Sequence, residues 1–386
     1  MSTIFSLFGP SLLFKEVIGV SLMEEKVAAR VITKYLKKGN MARCLRDILP
    51  LSGLSKEQRE EIAELIHDVV RWKKLYERII DIRGLKPTPE TYVKLAMNGS
   101  QADASSYPFE YRYSCSSYVA NVLKDHGDWT EFLNEKPPTT LCVNFNKSTI
   151  DDVMSMLEQE TLPAERSILT TAILTTSISK YSKVIQQRFA HVQDEGSQLI
   201  SLLTASLGES IFDYCAGNGG KSLAIASITK NTKKLHAYEM NAAKRTTLKR
   251  RCSEYDANVT VEDNPSEKKY DIVLVDAPCT SLGAARRNPE AKYTENPGDL
   301  PQIQSSILNQ AAGNVKSGGI LFYAVCTITP EETTQVIQTF VKKKGFTLFP
   351  FDDLPYKEFL LKNKYGAFST LPRGDLFFLS VLTKEQ

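Results

Sequence analysis

After about Gln193 the sequence alternates short apolar runs with longer stretches of helical potential, and this alternation constrains the fold most strongly. The runs are Ile211–Tyr214, Leu235–Tyr238, Val259–Val261, Ile272–Val275 and Ile320–Ala324. Strands separated by helices are typical of βαβ units, so the pattern predicts an α/β domain with a doubly wound parallel sheet. Ligands of such sheets bind beyond the carboxyl ends of the strands. The residues that follow each run are therefore the candidates for chemistry.

A glycine-rich loop, DYCAGNGGKS at 213–222, follows the first run. Cys215 stands where a phosphate-binding P-loop needs glycine, and the G-x-G-x-x-G spacing of dinucleotide sites is also missing. We therefore expect a nucleotide-like ligand without a long phosphate chain, and S-adenosylmethionine fits. The candidate cofactor-binding residues of this loop are Tyr214, Cys215, Ala216, Gly217, Asn218, Gly219, Gly220 and Lys221.

Acidic residues close the second and third runs. Glu239 lies 26 residues after Asp213, where an acidic side chain would accept hydrogen bonds from ribose hydroxyls. A surface glutamate is the plainer interpretation of the same residue. Asp263 closes the third run and could bond the amino group of adenine.

Two cysteines follow the fourth and fifth runs, in Asp276-Ala277-Pro278-Cys279 and in Val325-Cys326-Thr327. A thiolate is a strong nucleophile at neutral pH, so a pair of thiols at neighbouring strand ends makes a thiol-dependent reaction plausible. A buried cysteine is more often a small apolar residue. The pairing of the two cysteines and the nearby Asp276 carboxylate favour a catalytic role over a purely structural one.

The seven cysteines include no C-x-x-C pair, and the four histidines show no metal-ligand spacing. We therefore expect a reducing, cytoplasmic setting, no disulfide framework and no metal site. The net charge of +3 is too small to identify a nucleic-acid-binding protein by itself.

Residues 23 to about 84 have a helical apolar period and predict a small helical bundle. Residues 23–100 carry 16 Lys and Arg against 11 Asp and Glu, a local surplus that a solvated helix face or an RNA-binding surface would explain. Residues 1–22 are apolar but lack a basic start and a cleavage site, so we expect neither a signal peptide nor a membrane span. Residues 85–110 lack a period, and we expect a connection there.

A short extended run, 141–145, leads into an amphipathic helix and predicts a small α+β insert. The predicted organisation is an extension at 1–22, a helical domain with its connection at 23–130, the insert at 131–192 and a catalytic domain at 193–386.

Together these motifs resemble the RsmB/NSUN family of RNA 5-methylcytosine methyltransferases. The family's cofactor loop is similar to DYCAGNGGKS, its Asp-Ala-Pro-Cys segment to DAPCTSLGAARRNPEAKY, and its second cysteine motif to YAVCTITPEE. VQDEGSQL resembles the family's entry segment, and LIHDVVRWKKLYERII resembles a NusB-like RNA-binding domain. Departures include Asn218 for a frequent proline, Val325 for a common threonine, and Cys142 for an arginine of the insert.

The resemblance implies a Rossmann-like S-adenosylmethionine-dependent methyltransferase that acts on unpaired or flipped-out cytosine. Cys326 would add to C6 of the base, Asp276 would hydrogen-bond N3, and Cys279 would aid release of the adduct. Lys221 would hold the geometry or favour the thiolate, and Lys244 stands where the family often has a cofactor-binding arginine. Asp276 is also a candidate cofactor-binding residue, together with Glu239, Lys244 and Asp263. Arg286 and Arg287 are the candidates for RNA phosphates, with a structural ion pair as the alternative.

Several alternatives stay open from the sequence. Related DNA enzymes use the Pro-Cys cysteine as the nucleophile, which would nominate Cys279. The group that removes the C5 proton is not assigned. Ribosomal RNA is favoured over tRNA as the partner, no membrane partner is expected, and a monomer is the default. A non-catalytic RNA-binding assembly factor and a methyltransferase for proteins or small molecules are the rival functions.

Overall fold

The chain divides into two compact units in the computed structural model, which describes residues 21–124, 126–265, 267–342 and 345–386. The first unit contains the described residues up to Glu135 together with Ala285–Asn296. The second contains Lys136–Ala284 and Pro297–Gln386. Most of the predicted extension, residues 1–20, lies outside the described residues.

The first unit is helical, as the apolar period predicts. Ser21 caps the first helix in a reciprocal capping box with Glu24, so the helix begins one residue before Met23. Ser55 and Gln58 form the same motif at the third helix. The helices of this unit are α1 Leu22–Lys38, α2 Met41–Ile48, α3 Lys56–Arg71, α4 Lys73–Ile82, α5 Pro89–Met97, α6 Phe109–Arg112, α7 Ser117–Leu123 and α8 Gly127–Phe132.

The connection predicted at 85–110 is wrong, because most of this segment is helical and packs into the first unit. Thr88 accepts the N–H of Thr91 and caps α5, and Pro89 occupies the first turn, where its missing N–H is tolerated. Tyr92 and Val93 are buried in the core of the helical unit. Because α5 is short, its apolar period is not evident in the sequence, whereas its capping residues are.

Residues 285–296 are the second correction to the predicted domains. They follow the Asp-Ala-Pro-Cys motif in the chain and were assigned to the catalytic domain, yet they pack within the helical unit. Lys292 explains the placement, because its ammonium group donates to the carbonyl oxygens of Arg71 and Tyr113 and to the side chain of Asn134. The sequence showed no sign of this long-range packing.

The predicted insert contains a four-stranded sheet with the order β2-β3-β1-β4 and antiparallel pairing throughout. This sheet belongs to the second unit, which begins at Lys136 rather than at the predicted boundary of 193. Its elements are β1 Thr139–Val143, α9 Ile150–Gln159, β2 Ala164–Arg166, β3 Ala172–Thr175, α10 Lys183–Gln186 and β4 Ala190–Val192.

All five predicted strands occur in the central sheet of nine strands. The strands are β5 Ser210–Asp213, β6 Lys234–Tyr238, β7 Val259–Glu262, β8 Tyr270–Asp276, β9 Val315–Val325, β10 Phe346–Leu348, β11 Leu360–Lys362, β12 Ala367–Ser369 and β13 Phe378–Lys384. Their order is β11-β12-β13-β9-β8-β5-β6-β7, and β10 also pairs with β13. Strands β5 to β9 pair in parallel, whereas β13 runs antiparallel to β9.

The helices of the central sheet are α11 Glu195–Ala205, α12 Gly220–Ile228, α13 Ala242–Glu254, α14 Leu300–Ala311 and α15 Thr334–Val341. The strands β5, β8 and β9 contribute fully buried aliphatic and aromatic residues to a core shared with α11 and α12. This core fixes the parallel strands, so their carboxyl ends share one edge. Within the part of the chain that the structure describes, no helix is long and apolar enough to span a membrane.

Candidate active site

The proposed catalytic residues meet at the edge where β5, β8 and β9 end. Cys279 Sγ and Cys326 Sγ lie 3.4 Å apart, although 47 residues separate them in the chain. Lys221 Nζ donates to Asp276 Oδ2 at 2.6 Å. Adjacent parallel strands bring these four residues together, as the sequence predicted.

The glycine-rich loop joins β5 to α12 and presents its backbone at the same edge. Gly217 and Gly219 have φ values of +56° and +89°, which favour glycine. A Cβ atom at Gly219 would meet Leu248 Cδ1 at 2.5 Å. By contrast, a Cβ atom at Gly217 would have no heavy atom within 4 Å, so open space borders this point of the loop.

The start of the loop is fixed by buried residues. Tyr214 is buried, and its hydroxyl donates to Gln310 Oε1. Asp213 is also buried and accepts the Ser222 hydroxyl at 2.6 Å, while burial raises the pKa of Asp213 to about 6. Burial raises the pKa of Cys215 well above its ordinary value, which argues against a reactive thiol at that position.

The candidate residues after β6 and β7 have different surroundings. Glu239 accepts the N–H groups of Gly217 and Asn241 through its two carboxylate oxygens, so it fixes the glycine loop relative to α13. Asp263 is exposed and pairs with Arg245 and Lys249 on α13. This ion pairing competes with the predicted bond to adenine.

Lys244, the predicted counterpart of a family arginine, is exposed in the first turn of α13. Arg245, the next residue, donates from its guanidinium to the carbonyl oxygen of Glu239. The first turn of α13 therefore presents two adjacent cations, of which Arg245 is bound to the strand end.

The two cysteines differ in their electrostatic surroundings. The hydrogen bond between the two sulfur atoms lowers the pKa of the Cys326 thiol, and Ser281 Oγ at 3.5 Å acts in the same direction, whereas burial opposes them. The same hydrogen bond, together with burial, raises the pKa of Cys279 well above its ordinary value. Of the two thiols, Cys326 is therefore the more readily deprotonated.

The Lys221–Asp276 pair also faces the cysteines. The ammonium group of Lys221 is buried, and although burial disfavours its charge, the Asp276 carboxylate raises the pKa of Lys221. Its positive charge favours a thiolate at Cys326, and Asp276 has the opposite effect. Lys221 also lies 5.0 Å from the ring centre of Phe377, which forms part of the buried core.

Sequence reasoning did not assign Glu332, a fully buried carboxylate that ties the two cysteine loops together. It accepts the backbone N–H and the hydroxyl of Thr280, beside Cys279, and the hydroxyl of Thr329 after Cys326. Gln304 on α14 donates to the same carboxylate. The paired glutamates in TPEE were the available signal, but their burial depends on the tertiary structure.

Backbone contacts also join the cysteine loops. The Gly283 N–H donates to the carbonyl oxygen of Cys326, and the Ala277 N–H donates to that of Ala324. These bonds continue the pairing of β8 and β9 beyond the strands. The separation of the two sulfur atoms is thus set by backbone as well as by side chains.

Arg286 and Arg287, the predicted RNA contacts, both belong to the helical unit. Arg286 is only 2% exposed, and its guanidinium carbon lies 3.9 Å from the ring centre of Phe132. A cation that packs inside the helical unit is not accessible to phosphates, which argues against that role for Arg286. Arg287 is half-buried.

No cluster of three or more potential metal ligands occurs among the residues that the structure describes. The site consists instead of thiols, an acid, a lysine and a glycine-rich backbone. This set of side chains can activate a sulfur nucleophile and hold a polar substrate.

Comparison with known proteins identifies the family of this domain. Residues 200–382 match the family described as 16S rRNA methyltransferase RsmB/F. These residues form a methyltransferase domain of the RsmB/NSUN family. They include the glycine loop, both cysteines and Glu332, so the geometry described above belongs to the RsmB/NSUN domain itself.

One curated relative is the probable ribosomal RNA small subunit methyltransferase B of Bacillus subtilis (strain 168). It is 30% identical over 223 residues, which cover 54% of this chain and 50% of that protein. The match thus spans about half the length of the relative.

Two solved structures resemble the fold. The crystal structure of PH0851 has a TM-score of 0.74 at 20% identity and covers 94% of this chain and 98% of its own. NSun6 from Pyrococcus horikoshii, solved with SFG, an analogue of S-adenosylmethionine, has a TM-score of 0.61 at 14% identity and covers 70% of this chain and 98% of its own. Both support the Rossmann-like methyltransferase architecture.

S-adenosylmethionine is the cofactor of an RsmB/NSUN methyltransferase domain, and the residues at this edge fit it. The glycine loop borders open space at Gly217, and the N-terminus of α12 follows directly. Glu239 supplies a carboxylate beside the loop. These groups suit a nucleoside that carries hydroxyl groups and no phosphate chain.

Proposed function

We propose that the protein methylates C5 of a cytosine in RNA through a covalent adduct of Cys326. The pair of sulfur atoms 3.4 Å apart carries this proposal, because one thiolate beside one thiol serves a cycle in which an adduct forms and is later released. A methyltransferase without covalent catalysis needs no second cysteine. Small-subunit ribosomal RNA is the favoured substrate, with tRNA second, and the setting is cytoplasmic.

In the first step the Cys326 thiolate forms a bond to C6 of the cytosine, and the electrons of the C5–C6 double bond make C5 nucleophilic. Asp276 lies beside the nucleophile, and its carboxylate would accept a hydrogen bond from N3 of a cytosine protonated there, which makes C6 more electrophilic. Lys221 holds Asp276 in place at 2.6 Å. S-adenosylmethionine, when bound, supplies an electrophilic methyl group.

Release requires loss of the C5 proton to a base, after which the C5–C6 double bond reforms and the Cys326 sulfur leaves. Cys279 is favoured as thiol, so it can return a proton to the departing thiolate. Glu332 already accepts five hydrogen bonds, which supports a role in positioning the loops rather than in taking the proton.

The helical unit would bring the RNA to this edge as a NusB-like domain, which its helical fold and local positive charge support. The test is methyl transfer from labelled S-adenosylmethionine to total RNA and to total protein, followed by digestion of the RNA to nucleosides. Label in 5-methylcytidine is the expected result. Label in protein alone, or in a different nucleoside, would overturn the proposal.

A further inference from the structure

A pocket of about 250 Å³ lies within the helical unit and is not part of the proposed active site. At about 30 Å³ for each water molecule, it has room for about eight. Its walls include two aromatic residues, Trp72 and Tyr113, one cation, Arg112, and two carboxylates, Glu131 and Glu135. This size and lining suit one small planar group better than a large ligand.

The pocket is preformed because a buried lysine fixes three of its walls. The ammonium group of Lys292 donates to the carbonyl oxygens of Arg71, beside Trp72, and of Tyr113 at 2.7 and 3.0 Å. It also donates to Asn134, a third lining residue. Lys292 Nζ lies 5.4 Å from the ring centre of Trp72. Three acceptors thus satisfy all three donors of the ammonium group.

Cations and aromatic rings alternate beside the pocket. The guanidinium group of Arg112 lies 5.1 Å from the ring centre of Tyr113. On the same short helix α6, Tyr111 is contacted by Lys74 at 5.5 Å and by Arg78 at 5.7 Å. Rings that stack on bases together with cations that attract phosphates are typical of surfaces that bind single-stranded nucleic acid.

The two carboxylates restrict which base the pocket can take. Ionised carboxylates accept hydrogen bonds and do not donate them. They can therefore accept a hydrogen bond from the exocyclic amino group of adenine, cytosine or guanine, whereas unsubstituted purine, which has neither an amino group nor an N–H on its six-membered ring, offers them no such donor. Aromatic rings and carboxylates alone would also suit a cationic ligand, but the guanidinium group of Arg112 disfavours one.

We propose that this pocket binds one unpaired, amino-bearing nucleobase of the RNA substrate, stacked against Trp72 and Tyr113 with its amino group donated to Glu131 or Glu135. This choice of ligand rests on the proposed function, because it assumes that RNA is the substrate. The pocket adds a second point of recognition that is separate from the reacting cytosine. Arg112 contacts the phosphate next to the bound base.

The test compares binding of short, dye-labelled single strands of oligo(A) and of oligo(purine riboside) to the full chain by fluorescence anisotropy. Adenine and unsubstituted purine differ only in the amino group, and neither is the reacting base. We expect oligo(A) to bind about fivefold to tenfold more tightly. The Glu131→Gln/Glu135→Gln variant should bring this ratio close to one.

The Glu60→Gln/Glu61→Gln variant is the matched control, because it makes the same change of net charge at exposed positions of α3. It should keep the preference for oligo(A). Tyr113→Leu should weaken both strands by about tenfold and leave their ratio unchanged, because stacking does not depend on the amino group. Thermal unfolding of each variant verifies that the helical unit is folded.

Equal binding of the two strands by the unmodified protein would overturn the proposal. So would an unchanged ratio in the Glu131→Gln/Glu135→Gln variant, or quenching of tryptophan fluorescence by tetramethylammonium but not by oligo(A). These measurements need no methyl transfer. If RNA is methylated while the preference is absent, only the pocket proposal fails. If the preference is present without RNA methylation, only the proposed function fails.

Discussion

At the scale of single residues, the site depends on buried polar groups that satisfy each other's hydrogen bonds. Glu332 holds both cysteine loops through donors on Thr280, Thr329 and Gln304. A carboxylate buried this completely is stable only when its oxygens are satisfied. Its removal leaves several buried donors unpaired, and such groups are costly in a protein interior.

We therefore expect Glu332→Ala to lower the free energy of unfolding by about 3 kcal/mol and to reduce methyl transfer strongly, because the two sulfur atoms lose their fixed separation. Urea denaturation and a methyl-transfer assay measure the two effects. Glu331→Gln, at the less buried neighbouring position, should change stability by about 0.5 kcal/mol or less. Equal losses in both variants would contradict the role assigned to Glu332.

Asp213 gives a dependence of stability on pH. Burial raises its pKa to about 6, above about 3.9 in the unfolded chain, so the folded protein binds more protons between these values. The contribution of Asp213 to stability is present below about pH 4 and is lost as the pH rises through about 6.

The difference in unfolding free energy between the unmodified protein and Asp213→Asn should therefore shift by about 2 to 3 kcal/mol between pH 4 and 6, with the unmodified protein losing relative stability as the pH rises. Urea denaturation at several pH values measures this difference. A difference that stays constant over this range would contradict the raised pKa.

At the scale of elements, the turn from β5 into α12 is the most constrained segment of the site. Gly219 combines a φ of +89° with a close approach to Leu248, whereas Gly217 has open space in front of it. Both glycines need a positive φ, but only Gly219 also lacks room for a Cβ atom.

Gly219→Ala should cost about 3 kcal/mol of stability through backbone strain and overpacking against the core of α13. Gly217→Ala should cost about 1 to 2 kcal/mol, from strain alone. Urea denaturation measures the stability of each variant, and binding of S-adenosylhomocysteine is the second readout. Together they separate effects on the fold from effects on ligand binding. A larger loss for Gly217→Ala would contradict the described loop.

The strands of the central sheet were predictable because their apolar runs are short, buried and separated by helices. The paired cysteines were predictable because parallel strands end at one edge. Helix α5 was missed, since its short period is obscured although Thr88 and Pro89 mark its start. The burial of Arg286 was missed as well, because it depends on a ring, Phe132, that is 154 residues away in the chain.

At the scale of the whole molecule, residues 285–296 follow the Asp-Ala-Pro-Cys motif in the chain but form part of the helical unit. Lys292 is the anchor of this segment. A lysine that is 1% exposed and satisfied by three acceptors holds its neighbours in place, but its loss leaves those acceptors buried and unpaired.

Lys292→Met should therefore destabilise the helical unit by about 3 kcal/mol. Both tryptophans of the chain, Trp72 and Trp129, lie in this unit, so tryptophan fluorescence reports its unfolding in urea. Lys37→Met, at an exposed position of α1, should leave the midpoint nearly unchanged. An unshifted midpoint for Lys292→Met would show that the segment is not anchored in this way.

The central claim is that Cys326 forms the covalent bond to RNA and Cys279 releases it. The most direct measurement incubates RNA and S-adenosylmethionine with the full-length Cys326→Ala and Cys279→Ala variants and separates the products on a denaturing gel. Cys279→Ala should accumulate a protein–RNA adduct, because release is slowed, and Cys326→Ala should form none. An adduct with Cys326→Ala and none with Cys279→Ala would contradict the account and assign the nucleophile to Cys279.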